Sequence, residues 1–453
     1  MRADGCGRIA HPSVTDRSAE GGQTRDRTPL SSHQRWAPAV VRPDPVTLLE
    51  AQDATREPDL VPVRHGRMMV SPFTCYRGAA KVTAADLDGT PTAGLDTQLC
   101  GDAHLSNFGA FASPERELLF GLNDFDETLP GPFEYDVKRM AASFTIAGRN
   151  NGFSKADTRA ATRASVTAYR EAMASFATMG TLEVWYAHLA EDGLLKGIRS
   201  AAAEASTSKK GAKAAKRAEK VAAKALTKAR TRDSLQALSK LGELVDGRYR
   251  IVSQPPIVVP MRYLETTYSI PPDKLEQVIH EQFRAYRATL RHDQRHVLER
   301  FEIVDMARKV VGVGSVGTRA FIVLLQGRDQ TDPLFLQVKE ATASVLEDHL
   351  PASRYKQHGE RVVYGQRMLQ AASDIFLGWA EGGVDVSRHY YWRQLRDMKG
   401  SADVEAMKPI ELNLYYAGIC GWTLARAHAR SGDPIAIAAY LGEDDQFDRG
   451  RRG

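Results

Sequence analysis

Cysteine is scarce: four residues (Cys6, Cys75, Cys100, Cys420) among 453, widely spaced and without a Cys-x-x-Cys pair. That pattern supports neither a zinc site nor a disulfide framework, and it reads as buried thiols. Long apolar runs are also missing. Nothing approaches the roughly 18 consecutive apolar residues of a membrane-spanning helix, so a membrane is not expected as a partner. The first residues, MRADGCGRIAHPSVTDRSAEGG, lack the apolar stretch of a secretory signal, and the expected location is the cytoplasm. No internal repeat is visible. What remains is ordinary globular usage, 43% hydrophobic and 26% charged, which argues against wholesale disorder and allows two to four domains or one large domain with insertions.

The formal net charge of +5 is unevenly placed. Between Lys209 and Arg232 ten Lys/Arg stand against one acid, Glu219, a net +9 that leaves −4 for the rest of the chain. The basic surplus is therefore one Ala/Lys-rich stretch and not a basic surface throughout, and nucleic acid is not expected as a partner. The stretch reads first as a solvated helix face or a mobile insertion and second as a phosphate-binding arm.

Residues 1–56, rich in Arg, Asp, Ser, Pro and Gly, read as a tail of low order with one short helical pattern near Pro45 to Arg56. From 57 to 152 the pattern turns globular, with short strand-like pieces around TQLCGDAH and ELLFGLNDFDE. Residues 153–300 read as a helical insertion containing the basic segment 209–232, with SLQALSKLGELVDG as a further helix, QPPIVVP as an edge strand and 272–300 as one long helix. Residues 301–400 are β-rich, and 401–453 mainly helical.

Four pieces carry chemistry. The loop CGDAHLSN places Asp102 five residues before Asn107, so that a carboxylate can face a substrate hydroxyl while an amide oxygen reaches a cation. Asp and Asn are also common turn formers. The segment LNDFD follows an apolar strand and offers Asp124 and Asp126 as hard oxygen ligands for Mg²⁺, and the SPERE turn allows a hairpin that returns Asp124 to Asn107. Gly312-Val-Gly-Ser-Val-Gly317 is a GxGxxG followed by TRAFIVLL, a strand pattern and not a helix. Strand, glycine turn, strand fits a flap over phosphates, or a plain hairpin, better than a dinucleotide-binding turn. Lys339 ends the next strand, LFLQVK, and can meet phosphates as a point charge if a carboxylate holds it. Glu360, on the helix that begins near His358, is preferred for that role over the nearer Glu347.

Together these pieces resemble a protein-kinase-like phosphotransferase, especially the aminoglycoside-phosphotransferase type: CGDAHLSN is similar to that group's HGDLHPGN loop, LNDFDE to its metal-binding segment, and GPFEYDVKRMAASF to the stretch that follows. Two departures stand out. Cys100 replaces the histidine, and the order is reversed, with loop and metal carboxylates (102–126) ahead of flap and lysine (312–339). A circular permutation accounts for the reversal, since GWTLARAHARSGD near the end resembles the helix that ordinarily leads into the loop. From Arg64 onward the chain also resembles an uncharacterised bacterial family, domain of unknown function 2252, through RHGRM, SPFTCYRG, GDAHLSNFG, NDFDE, QVKEA and QRMLQAASDIFLGW. That resemblance supplies no activity.

The resemblance implies an α+β, two-lobed, protein-kinase-like fold in permuted order, binding ATP with Mg²⁺ between a β-rich lobe and a helical lobe built from both chain ends. Asp102 would orient or deprotonate the acceptor hydroxyl, Asn107, Asp124 and Asp126 would hold metal, Gly312, Gly314 and Gly317 would cover the phosphates, and Lys339 with Glu360 would grip them. The acceptor, small molecule or protein, is not specified. Nucleotide binding without transfer and nucleotidyl transfer stay open. A two-metal phosphoesterase built on Asp102-x-His104 would need further His and Asn ligands that the sequence does not offer.

Overall fold

The computed structural model describes residues 11–34, 37–204, 220, 223–268, 272–383, 385–395, 397–404, 407 and 410–448. Most of the basic segment, 209–219 with 221 and 222, lies outside them. The order is mixed α and β, every strand pairing among the described residues is antiparallel, and no described helix is long and apolar enough to cross a membrane.

Order reaches further towards the N-terminus than composition suggests. A helix spans Val14–Arg27, opened by a capping box in which Ser13 accepts from Asp16 N–H and Asp16 accepts from Ser13 N–H. It docks without large apolar residues: a Cβ on Gly21 would lie 2.2 Å from the carbonyl of Ala436, and Arg25 donates to the carbonyl of Tyr440 at 2.6 Å. The low-order reading of 1–56 is thus corrected for its described part, because close backbone approach replaced the hydrophobic signal. Of the cysteines, Cys100 and Cys420 are buried whereas Cys75 is exposed.

The strands are β1 (Asp96–Leu99), β2 (Phe108–Ala112), β3 (Leu118–Leu122), β4 (Leu129–Pro132) and β5 (Leu189–Ala190), followed by β6 (Gly242–Val245), β7 (Arg248–Ile251) and β8 (Val258–Pro260). Then come β9 (Glu302–Lys309), β10 (Ala320–Gln326), β11 (Pro333–Ala341), β12 (Gly378–Glu381), β13 (His389–Gln394) and β14 (Gly400–Ser401). The largest sheet has the order β12-β13-β11-β10-β9-β8, which leaves the proline-bracketed β8 at an edge. Strand β10, AFIVLLQ, is apolar almost throughout because both of its faces are covered. On one face Trp392 of β13 stacks on Tyr286 at 4.5 Å between ring centroids, within a core that includes Val323, Leu336 and Val338.

Two expectations within 153–300 need revision. The long helix at 272–300 is two, Pro272–Ala288 and His292–Leu298, because Thr289 turns its hydroxyl onto the Tyr286 and Trp379 carbonyls and Arg291 is extended (φ −61°, ψ 152°). The helix from Ser234 ends at Leu241, and GELVDGRYRI forms the β6–β7 hairpin around Asp246 and Gly247, both with positive φ (50° and 76°). Asp-Gly between apolar residues is a hairpin signal.

A second body of structure is helical. Helices Phe133–Asn150, Lys155–Ala177 and Ile410–Ala429 share a core in which Phe133, Phe144, Tyr169 and Tyr416 are buried, against the β2–β3 hairpin. Each such aromatic contributes on the order of 2–3 kcal/mol by leaving water.

Candidate functional site

The loop after β1 is tied down from beneath. Asp136 accepts from the backbone N–H of Cys100 at 2.7 Å and of Gly101 at 3.0 Å, and its other contact is His428 Nε2 at 3.3 Å. Gly101 has φ +81°, and a Cβ there would sit 2.2 Å from the Glu127 carbonyl, so only glycine fits. Asn107 donates its side-chain N–H to the Asp102 carbonyl at 2.8 Å, so the amide oxygen is the atom it can offer a cation.

Strands β2 and β3 pair from Phe108↔Leu122 to Ala112↔Leu118, and Asn123 N–H donates to the Asn107 carbonyl at 2.8 Å. The hairpin therefore returns Asp124 and Asp126 to the loop. From the large sheet, Gly312–Gly317 joins β9 to β10, and Ser315 Oγ donates to Asp126 at 3.3 Å. Lys339 on β11 is 2% exposed and places Nζ 2.5 Å from Asp126 and 3.9 Å from Asp124. Tyr391 on the neighbouring strand donates its hydroxyl to the other Asp126 oxygen at 2.6 Å. Residues 213 positions apart in the chain thus meet in one ion pair.

The resulting cleft, about 120 Å³, is lined by Asp102, Asn107, Asp124 and Asp126 on one side and by Gly312 and Gly314 on the other. Gly317 turns away: its φ is +89° and a Cβ would strike Arg56 at 2.9 Å. Arg56 donates to the Val316 carbonyl, Arg67 to that of Gly312 at 2.6 Å, and Glu57 N–H to that of Gly317 at 2.7 Å. N-terminal residues outside the strand-loop-strand unit therefore clamp the flap.

Glu360 is corrected as the partner of Lys339. The ion pairs of Lys339 run to Asp126 and Asp124, and Glu360 sits in the first helical turn with its N–H on Gln357 Oε1. The next residue, Arg361, enters the site instead, donating to the carbonyls of Thr128, Asp126 and Thr342 at 2.6, 2.8 and 2.8 Å. Asp102 is held by Arg139, whose Nη2 lies 2.6 Å and Nε 2.8 Å from Oδ1. Arg139, Arg361, Tyr391 and Arg56 were not foreseen. The place of Arg139 in GPFEYDVKRMAASF, the stretch that follows the carboxylate segment, is the one signal that could have flagged any of them.

Electrostatics follow from burial and these partners. Burial disfavours the charge on Lys339, yet Asp124 and Asp126 outweigh it and hold the ammonium above the usual lysine range. Burial opposes ionisation of Asp124, but Lys339, Arg393 and Lys399 keep its carboxyl below the ordinary value. His104 is pushed down to about 4, chiefly by burial, with Asp102 and Asp124 opposing and Arg139 and Arg77 adding to the shift, so its imidazole is neutral at pH 7. Glu127 is pushed up to about 7 by burial, against the Val345 N–H and Arg361.

The donor set suits one kind of metal. No group of three or more His, Cys, Asp or Glu side chains positioned to hold an ion occurs among the described residues. Mg²⁺ does not require one, since it is commonly held through one or two carboxylates with waters and substrate phosphates. Asp124, Asp126 and the Asn107 oxygen, in a cleft with a buried lysine and exposed flap backbone, fit a magnesium-bound phosphate.

Fold and site together define a mixed α and β protein with a charged cleft between a six-stranded antiparallel sheet and a mainly helical body. The chain belongs to a family described as "Uncharacterized protein conserved in bacteria (DUF2252)", which matches residues 56–451. No curated protein and no solved structure matches it.

Proposed function

We propose that this chain is an ATP- and Mg²⁺-dependent phosphotransferase acting on a hydroxyl acceptor, with a protein-kinase-like, two-lobed organisation in circularly permuted order. One observation carries the reading: Lys339, on a strand beside a glycine turn, meets the carboxylates of a loop-hairpin unit 213 positions away, with Asp102 and Asn107 in the same cleft. Phosphoryl transfer asks mainly for positioning and charge neutralisation, which such a convergence provides.

The permutation has support of its own. Ser431, just past the helix Ile410–Ala429, accepts from Gln98 N–H of β1 at 3.1 Å. Gly432 packs so closely that a Cβ would meet Asp96 and Thr97. The helix also supplies His428 to the carboxylate that anchors the loop. The two chain segments that a permutation separates thus abut where the unpermuted order would join them.

In this reading Lys339 neutralises phosphate charge and the flap N–H groups face the phosphates. Asn107, Asp124 and Asp126 hold Mg²⁺, which supplies charge neutralisation to the transferring group. Arg139 keeps Asp102 aimed, and Asp102 orients the acceptor hydroxyl. A second reading, nucleotide binding without transfer, is favoured by that same Arg139 ion pair, which occupies Oδ1 of the carboxylate that would otherwise meet the acceptor hydroxyl. ATP labelled at the α or the γ phosphate separates the cases. The γ label on a product supports transfer, and bound but unaltered ATP supports the second reading. The α label on a product means nucleotidyl transfer and overturns both.

A further inference from the structure

If the phosphates lie between Lys339 and the flap, the walls of the cleft decide what else the ligand can place there. At about 120 Å³ the cleft is far smaller than the roughly 300–1,000 Å³ that encloses a whole organic ligand. Among the described residues its lining is mostly polar, with Arg56, Arg77, Glu127 and Glu340 in it, Val313 as the largest aliphatic group, and no phenyl, phenol or indole ring. A purine needs an apolar slot or an aromatic face to rest on.

On the face of the large sheet that carries Lys339, the apolar surface is already covered. In the β10–β11 register Lys339 lies opposite Ala320, Gln337 opposite Ile322 and Phe335 opposite Leu324, so all six point to the same side of the sheet. Next to Lys339, Gln337 is 8% exposed and accepts from Arg393 at 3.1 Å. Beyond it Phe335, Ile322 and Leu324 pack on Leu238 and Leu241 of the helix Ser234–Leu241 and on Ile251 of β7. The insertion fills the apolar half of this face.

Resting on the phosphotransfer reading above, we infer that the cleft recognises its donor through the metal-bound phosphate chain and does not read a nucleobase. The ligand class is then a magnesium polyphosphate chain, whether it carries adenosine, guanosine or nothing. The test uses the full chain titrated calorimetrically with Mg²⁺ and tripolyphosphate, ATP or GTP. Dissociation constants within about threefold of one another are expected. ATP bound more than about tenfold tighter than both tripolyphosphate and GTP overturns the inference while leaving the phosphotransfer reading intact. Absence of magnesium-dependent binding for all three, in protein whose far-ultraviolet circular dichroism shows it folded, overturns the phosphotransfer reading and the inference with it.

Discussion

Lys339 and Phe335 stand four residues apart on one face of one strand, in opposite surroundings. Phe335 is fully buried among apolar groups of the insertion. Lys339 is equally buried, but among carboxylates that come from a different part of the chain. One end of the face is held by hydrophobic packing and the other by charge, and the carboxylates that hold the charged end, Asp124 and Asp126, line the cleft. The difference teaches that stability and chemistry were placed side by side on a rigid element, where each can be altered without the other.

The comparison breaks most visibly at the apolar end. Phe335→Ala should lower unfolding free energy by about 3–5 kcal/mol, read from a urea melt, while Mg·ATP affinity in the folded protein stays unchanged. Lost affinity in a folded variant would mean that the two ends are not separable. At the charged end, Lys339→Met should cost about 2–3 kcal/mol, below the value for a fully buried pair because Asp126 retains 27% exposure, and should abolish Mg·ATP binding. Asp124→Asn should leave the melting curve almost unmoved and eliminate magnesium-dependent turnover. Unchanged turnover would remove Asp124 from the metal site.

A finer contrast comes from pH. Glu127 is held at about 7 against an ordinary 4.5, so the folded chain retains a proton that the unfolded chain releases in between. The stabilisation is complete below 4.5 and is lost as pH rises through about 7. Glu127→Gln should therefore lose less stability than the native chain between about pH 5 and about pH 8, and an identical slope would contradict the assignment. The smallest effect is expected from Ser315→Ala, which removes one hydroxyl contact to Asp126 and should weaken Mg·ATP by only about threefold.

What the sequence disclosed divides along the same line. Loops and strands with local signatures were legible: the β9–glycine turn–β10 pattern, the β2–β3 hairpin and the edge strand with its prolines. Partners fixed by tertiary approach were not. Lys339 needed a carboxylate, and spacing favoured Glu360, one position before the Arg361 that enters the site; the actual partner Asp126 had been assigned only to metal. Nothing local distinguishes a lysine paired across 213 positions from one paired with the next helix. The docking of Val14–Arg27 escaped for a related reason, since Gly21 and Arg25 hold it through backbone carbonyls that hydrophobicity does not register.

The central claim is that loop, hairpin, flap and lysine form a single magnesium-nucleotide site. Calorimetric titration of the native chain with ATP, with and without Mg²⁺, followed by the same titration of Lys339→Met and Asp124→Asn, tests it directly. The account predicts saturable binding that requires Mg²⁺ and disappears in both variants. Binding that survives in either folded variant, or that ignores the metal, would contradict it.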